Sequence, residues 1–222
     1  MKSIKHIAQQ SLSSLGAAAT RRIIKQFAAK HHMVYFGHVD PREDEYELVR
    51  GLTLSTKHID NHYTVGTHDG RDVILVERRN TLSFPNKPDS SYRWLIAQID
   101  LKRSGFPHLF IDCNHHDATF YANAFLLRQG IQDLGTYFNG LSPSFAQKAK
   151  LFANPSKYTA VRELVTPEVA ETIAQHFTQF DYELFDDCLL VYASNNLPTP
   201  ALLEDMLRIG AWLAAHFEAV AP

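Results

Sequence analysis

Cysteine is scarce: Cys113 and Cys188 are the two in the chain, each inside an apolar stretch and neither part of a CxxC pair. That excludes a zinc ribbon and a thioredoxin-type dithiol, and two thiols without a disulfide framework point to a reducing compartment. No apolar run approaches the roughly 18 residues a membrane-spanning helix needs. Residues Met1–Gly16 lack the continuous apolar segment of a secretory signal, so a cytoplasmic location is the expectation. Familiar catalytic spacings are missing as well. There is no GxSxG elbow and no SxxK, and the glycine-bearing turns fit neither GxxxxGK[ST] nor GxGxxG, which disfavours a nucleophile-elbow hydrolase and a P-loop or Rossmann nucleotide site.

Acidic residues are absent from the first 39 positions, which carry six bases: Lys2, Lys5, Arg21, Arg22, Lys25 and Lys30. The remainder holds 16 of the 22 basic residues and all 24 acids, a balance of −8 concealed in a net charge of −2. A basic arm therefore precedes an acidic body. Ile4, Ile7, Leu12, Leu15, Ala19, Ile23 and Phe27 recur at three- and four-residue spacing, which predicts an amphipathic helix interrupted near Gly16. The expected organisation is a basic helical arm over 1–32, packed on the body, and a single α+β domain over 33–222. That domain is β-rich over 33–116 and mixes helix and hairpin over 117–222.

Within the body, Tyr46–Leu54, Asn61–Gly66, Arg71–Arg78, Tyr92–Leu101 and His108–Asp112 read as strands. Asp69-Gly70 between two of them is a hairpin signal, because glycine accepts the positive φ of a tight turn. Short connections favour antiparallel pairing. Met33–Phe36 reads as a buried strand or packed connection. Asp117 can cap a helix over Ala118–Gln129 that Gly130 ends, Leu141–Phe152 reads as a short helix between loops, and Thr166-Pro167 and Thr199-Pro200 open two more helices. Phe180–Phe185 and Cys188–Ala193 flank Asp186-Asp187 as a hairpin. The fold class expected is α+β, an antiparallel sheet of about five or more strands covered by the N- and C-terminal helices. Trp94, Phe110, Phe125, Leu190, Leu207 and Leu213 are expected in the core.

The densest chemistry-bearing stretch is Asp112-Cys113-Asn114-His115-His116-Asp117, at a strand-to-helix junction. Asp112, His115 and His116 are the candidate ligands of a divalent metal there, with a bound water as the nucleophile of a hydrolase. The competing reading is structural: Cys113 packs inward, Asp117 caps the helix and the histidines lie on the surface. His58, His62 and His68 form a second histidine group, but His58 and His62 on one strand would stand about 13 Å apart, too far to chelate without a bulge.

No cofactor is required by any motif. The basic residues Lys2, Lys5, Arg21, Arg22 and Lys25 are the candidate contacts for a protein partner or for self-association. Nucleic acid is not expected, because the body's negative balance repels phosphate. A membrane surface is disfavoured, because the helix's apolar face is alanine-rich and lacks tryptophan. The function that fits best is a cytoplasmic binding or interaction protein without catalytic activity. The alternatives are a metal-dependent hydrolase at Asp112–Asp117 and a peripheral membrane protein held by the N-terminal helix.

Overall fold

The computed structural model describes residues 17–38, 49–52, 54, 58–83, 89–124, 130–135 and 140–220. A helix, α1, occupies residues 17–30. It is followed by β1 (Val34–His38), β2 (His58–His68), β3 (Arg71–Leu82), β4 (Ser90–Asp100), β5 (Phe106–Asp112), α2 (Ala118–Ala124) and β6 (Gln132–Asp133). Then come α3 (Pro143–Lys148), β7 (Lys150–Ala153), α4 (Tyr158–Leu164), α5 (Pro167–His176), β8 (Asp181–Asp186), β9 (Cys188–Ser194) and α6 (Pro200–Val220). Nine strands form one sheet in the order β1-β2-β3-β4-β9-β8-β5-β7-β6, and each neighbouring pair is antiparallel. This is the expected α+β class, with N- and C-terminal helices and more strands than the minimum the sequence implied.

Local chemistry explains most of the elements. Asp69 and Gly70 both take positive φ, 50° and 70°, the pair of values a two-residue turn needs to match the twist of the β2–β3 hairpin. Thr166 accepts from the Val169 amide and Ser142 from the Phe145 amide, each followed by proline at the first helical position, where a missing N–H does no harm. Alternation along the strands divides the sheet into two apolar faces. One carries Leu75, Leu95, Ile99, Leu109 and Val191 and packs with α5, α6 and the Ile24, Phe27 and Ala28 side chains of α1. The other carries Val76, Trp94, Ile96, Phe110, Leu190 and Tyr192 and packs with Phe120 of α2 and with Leu52 and Leu54. Of the expected core residues, Trp94, Phe110, Leu190, Leu207 and Leu213 are buried; Phe125 lies outside the described residues.

Three expectations change. Of the strand expected over Tyr46–Leu54, the described residues 49–52 and 54 are not extended ladder but a crossing segment. Gly51 there has φ +98°, and a Cβ would fall onto the Tyr192 hydroxyl and the Leu190 side chain, so the backbone is pressed against the sheet face. Leu141–Phe152 divides into α3 and the strand β7, because Ala149 turns extended and releases Lys150–Ala153 to pair with β5. The Met33–Phe36 stretch becomes an edge strand, so Val34 and Phe36 are 57% and 61% exposed rather than buried. The start of the arm, the distal half of the Ala118–Gln129 helix and the Gly16 break lie outside the described residues.

Candidate functional site

Asp112 is the last residue of β5, and the chain turns at once into α2. Its carboxylate is fully buried and surrounded by donors. His116 Nδ1 stands 2.7 Å from Oδ1, the Asn114 amide donates to Oδ1 and the His116 amide to Oδ2 at 3.2 Å each, and the Tyr121 hydroxyl donates to Oδ2. Asp181, on β8 and equally buried, accepts from the Cys113 amide at 2.8 Å, the Asn114 amide at 3.1 Å and the Ser194 hydroxyl at 3.2 Å. Asp117 caps α2 by accepting from the Phe120 amide at 2.8 Å. The His116 ring stacks on Phe120 at 3.8 Å between centroids, with Trp94 nearby. The whole junction is thus a turn wound around two buried carboxylates.

The two carboxylates titrate in opposite directions. Burial alone would raise Asp112, but the hydrogen bonds from His116 and Tyr121 outweigh it and hold its pKa below the ordinary value. Asp181 is pushed up to about 6, first by burial and then by the Asp112 charge, with His116 and the two amides opposing. Tyr121 is raised by burial and by its bond to Asp112, and burial raises the Cys113 thiol well above its usual range, which leaves it a poor nucleophile.

Of the three residues read from the sequence as metal candidates, Asp112 and His116 meet here. His115 does not. It is exposed with φ +53°. Among the described residues, Asp112, His116 and Asp181 make up the group whose potential ligand atoms lie within 4.8 Å of one another. Asp181 is the member that sequence reasoning missed. Its one signal was a charge between Phe180 and Tyr182, in a strand that also carries Glu183 and Asp186. The other histidine group is not assembled: His58 lies 3.6 Å from Asp60, His68 lies 3.7 Å from Asp69, and His62 turns toward Tyr35.

The second site is a groove of about 770 Å³ between α1 and the outer strands β1 and β2. Arg21, Arg22 and Lys25 project from α1 and are exposed, while Ile24, Phe27 and Ala28 on the opposite helix face enter the core. Lys25 Nζ stands 5.1 Å from the centre of the Tyr35 ring, a cation–π contact. The Tyr35 hydroxyl is 2.7 Å from His62 Nδ1. His62 has φ +61°, and the β2–β3 register shifts between Asn61 and Thr64. Such a bulge re-aims a side chain out of the regular alternation. Among the described residues, no carboxylate forms an ion pair with Arg21, Arg22 or Lys25, whereas Lys30 on the same helix reaches Glu204 of α6 at 2.7 Å. Lys2 and Lys5 lie outside the described residues.

The architecture is an open nine-stranded antiparallel sheet with helices packed on it, an α+β fold that carries a basic groove at one edge. The chain is similar in that fold to the crystal structure of the mycobacterial trehalose monomycolate transport factor A, TtfA, with a TM-score of 0.62 over 91% of this chain and 97% of that one, at 10% sequence identity. No protein-family model matches the sequence, and no curated protein matches it. Among the described residues, no helix is long and apolar enough to cross a membrane.

Proposed function

We propose that the protein is a cytoplasmic, non-catalytic binding protein, and that an acidic segment of a partner protein docks in the groove between α1 and β1–β2. One observation carries this reading: three exposed cations, Arg21, Arg22 and Lys25, frame a groove of about 770 Å³ and none has a carboxylate partner among the described residues. A volume of that size suits a specific occupant, and the exposed cations define its charge. The helix α1 then serves as one wall of the groove, held by Ile24 and Phe27 in the core and by Lys30 on Glu204. A short acidic segment confined to the groove avoids the acidic body, which a long polyanion could not. A fold shared with a transport factor accords with a protein that binds its partner rather than transforming it.

The test is fluorescence anisotropy with a short labelled glutamate-rich peptide. Saturable binding that weakens about tenfold when Arg21, Arg22 and Lys25 are all changed to Ala is expected, roughly the sum of three partly exposed ion pairs. The same affinity in the triple variant contradicts the reading. So does equal or tighter binding to oligothymidylate or to phosphatidylserine vesicles.

The metal-hydrolase reading has one observation in its favour, the proximity of Asp112, His116 and Asp181. Chemistry weighs against it. Each Asp112 oxygen already accepts two hydrogen bonds, and three donors converge on Asp181, so a cation would have to displace the donors that shape the turn. We therefore read the cluster as a lock on the β5–α2 junction. Purified protein is expected to contain no stoichiometric zinc or manganese by elemental analysis, and EDTA is expected to leave the unfolding midpoint unchanged. One metal equivalent, lost together with stability on chelation, would restore the hydrolase reading.

A further inference from the structure

The floor of the groove is chemically odd for a sheet edge. His62 occupies the left-handed region, which a non-glycine residue rarely enters, at a point where β2 is out of register with β3. On β1, Gly37, the register partner of the next residue, Tyr63, also has positive φ, and the β1–β2 register shifts on both sides of it. Two irregular strands side by side re-aim the Tyr35 and His62 pair, and both residues line the groove together with Arg21 and Lys25. Strain concentrated at one place on a sheet is a pointer to function.

Charged and titratable groups surround His62 from every side: Arg21, Arg22 and Lys25 from α1, the neutral Tyr35 hydroxyl and His38 from β1, Glu77 and Arg79 from β3, and Arg93 from β4. Burial comes first in holding the imidazole below its usual pKa; Glu77 opposes this, and Arg21, Arg79 and Arg93 reinforce it. Glu77 is itself occupied by Arg79 and Arg93 at 2.6 Å each, so it is not available to neutralise an imidazolium. With its pKa lowered, the imidazole is mostly neutral near pH 7, and the 2.7 Å contact between the Tyr35 hydroxyl and Nδ1 suits the tautomer in which the hydroxyl donates and Nε2 keeps the proton.

Building on the docking reading above, we infer that His62 is a proton-linked anchor of the groove: a partner carboxylate seats beside Arg21 and His62, and the imidazole takes up a proton when it arrives. The ion pair adds a second negative neighbour, beside Glu77, to an imidazole whose charging Arg21, Arg79 and Arg93 oppose. Tyr35 turns to accept from Nδ1–H once the ring is charged, so no hydrogen bond is lost in the switch. The sign of the linkage is fixed. Above the bound-state pKa neither form holds the proton and affinity is flat. As pH falls toward the lower free-state value, the complex holds a proton that the free protein does not, and affinity rises. Partner glutamates stay ionised through this range, since their ordinary pKa is about 4.3.

The experiment measures affinity of the same glutamate-rich peptide between about pH 7.5 and pH 5.5 and follows the His62 ring carbon by NMR with and without peptide. Binding is expected to tighten about three- to tenfold over that interval, and the His62 titration midpoint is expected to rise on peptide addition. His62→Gln, which keeps a hydrogen-bonding side chain but cannot take up a proton, is expected to weaken binding at pH 7.5 and to lose the extra tightening at pH 5.5, so the flattened pH slope is the readout that separates proton linkage from a lost contact. An unchanged pH slope in His62→Gln, or a His62 midpoint that peptide does not move, overturns the inference. Those outcomes leave the docking reading intact if the Arg21, Arg22 and Lys25 triple variant still binds more weakly at pH 7.5. No peptide binding at either pH overturns both.

Discussion

Asp60→Ala is expected to destabilise the protein by about 3–5 kcal/mol, the cost of leaving one buried charge without its partner. Arg78 is 1% exposed, among the largest fully buried side chains, and its guanidinium grips Asp60 with two bonds, Nε to Oδ1 at 2.9 Å and Nη2 to Oδ2 at 2.7 Å. The pair sits across adjacent strands, since Asp60 on β2 lies opposite Arg78 on β3. The Tyr63 hydroxyl also donates to Oδ2 at 3.1 Å, so the substitution takes the acceptor from two side chains at once. What remains to Arg78 includes the Val49 carbonyl at 3.3 Å, which ties the crossing segment 49–52 to the same guanidinium. The loss should therefore appear as a drop in the urea midpoint and as faster amide exchange around Val49. A double variant, Asp60→Leu with Arg78→Met, removes both charges and should recover most of the stability, because well-packed apolar side chains often replace a buried pair at little net cost. If Asp60→Ala unfolds at the urea midpoint of the unaltered protein, the buried pair is not what anchors this end of the sheet.

The second large effect separates the two junction carboxylates. Asp112→Ala removes the carboxylate that the His116 ring, the His116 amide and the Tyr121 hydroxyl share and one of the two acceptors of the Asn114 amide, and is expected to cost about 3 kcal/mol or more. Its pKa lies below the ordinary value, so its contribution is present at neutral pH and is lost as pH falls through the acid range. Asp181 runs the other way. Its folded value of about 6 stands above the 3.8 of an unperturbed aspartate. Between these limits the folded protein keeps a proton that the unfolded chain releases, so stability falls as pH rises through that window and stays lower above it. Asp181→Asn keeps an oxygen for the Cys113 and Asn114 amides and removes the repulsion with Asp112. It should be neutral or stabilising by roughly 1–3 kcal/mol at pH 8 and show no such gain at pH 4. Denaturant titrations of both variants at these two pH values check the signs. A loss at pH 8 in Asp181→Asn equal to that of Asp112→Ala would mean that the two carboxylates act as one unit.

Much of the architecture was legible because it is written in local chemistry. The Asp69-Gly70 turn, the Thr166-Pro167 and Thr199-Pro200 helix starts, and the β8–β9 hairpin at Asp186-Asp187 each follow from what one or two residues allow the backbone to do. The Asp112–Asp117 stretch also stood out, and Asp112 with His116 does form its centre. The role of the stretch was not legible, because it depends on Asp181, nearly 70 residues away and brought alongside only by the β5–β8 pairing. The β7 strand was hidden for a similar reason: Lys150–Ala153 is too short to show alternation and is extended because β5 is there to pair with it. Charge counting isolated Arg21, Arg22 and Lys25 but said nothing about Tyr35 and His62, which join them through bulges that no spacing rule announces. It also left open whether the arm's charges serve the body or face outward. Lys30 on Glu204 does the first, and the three groove cations do the second.

The most direct test of the docking groove is an amide and side-chain NMR titration of isotope-labelled protein with the glutamate-rich peptide. Saturable shifts are expected along residues 17–29 of α1, at Tyr35, Gly37 and His62, and at the Arg21 and Arg22 guanidinium groups. Shifts confined to other surfaces, or the absence of any saturable change at those positions, would contradict the proposal that an acidic segment docks in this groove.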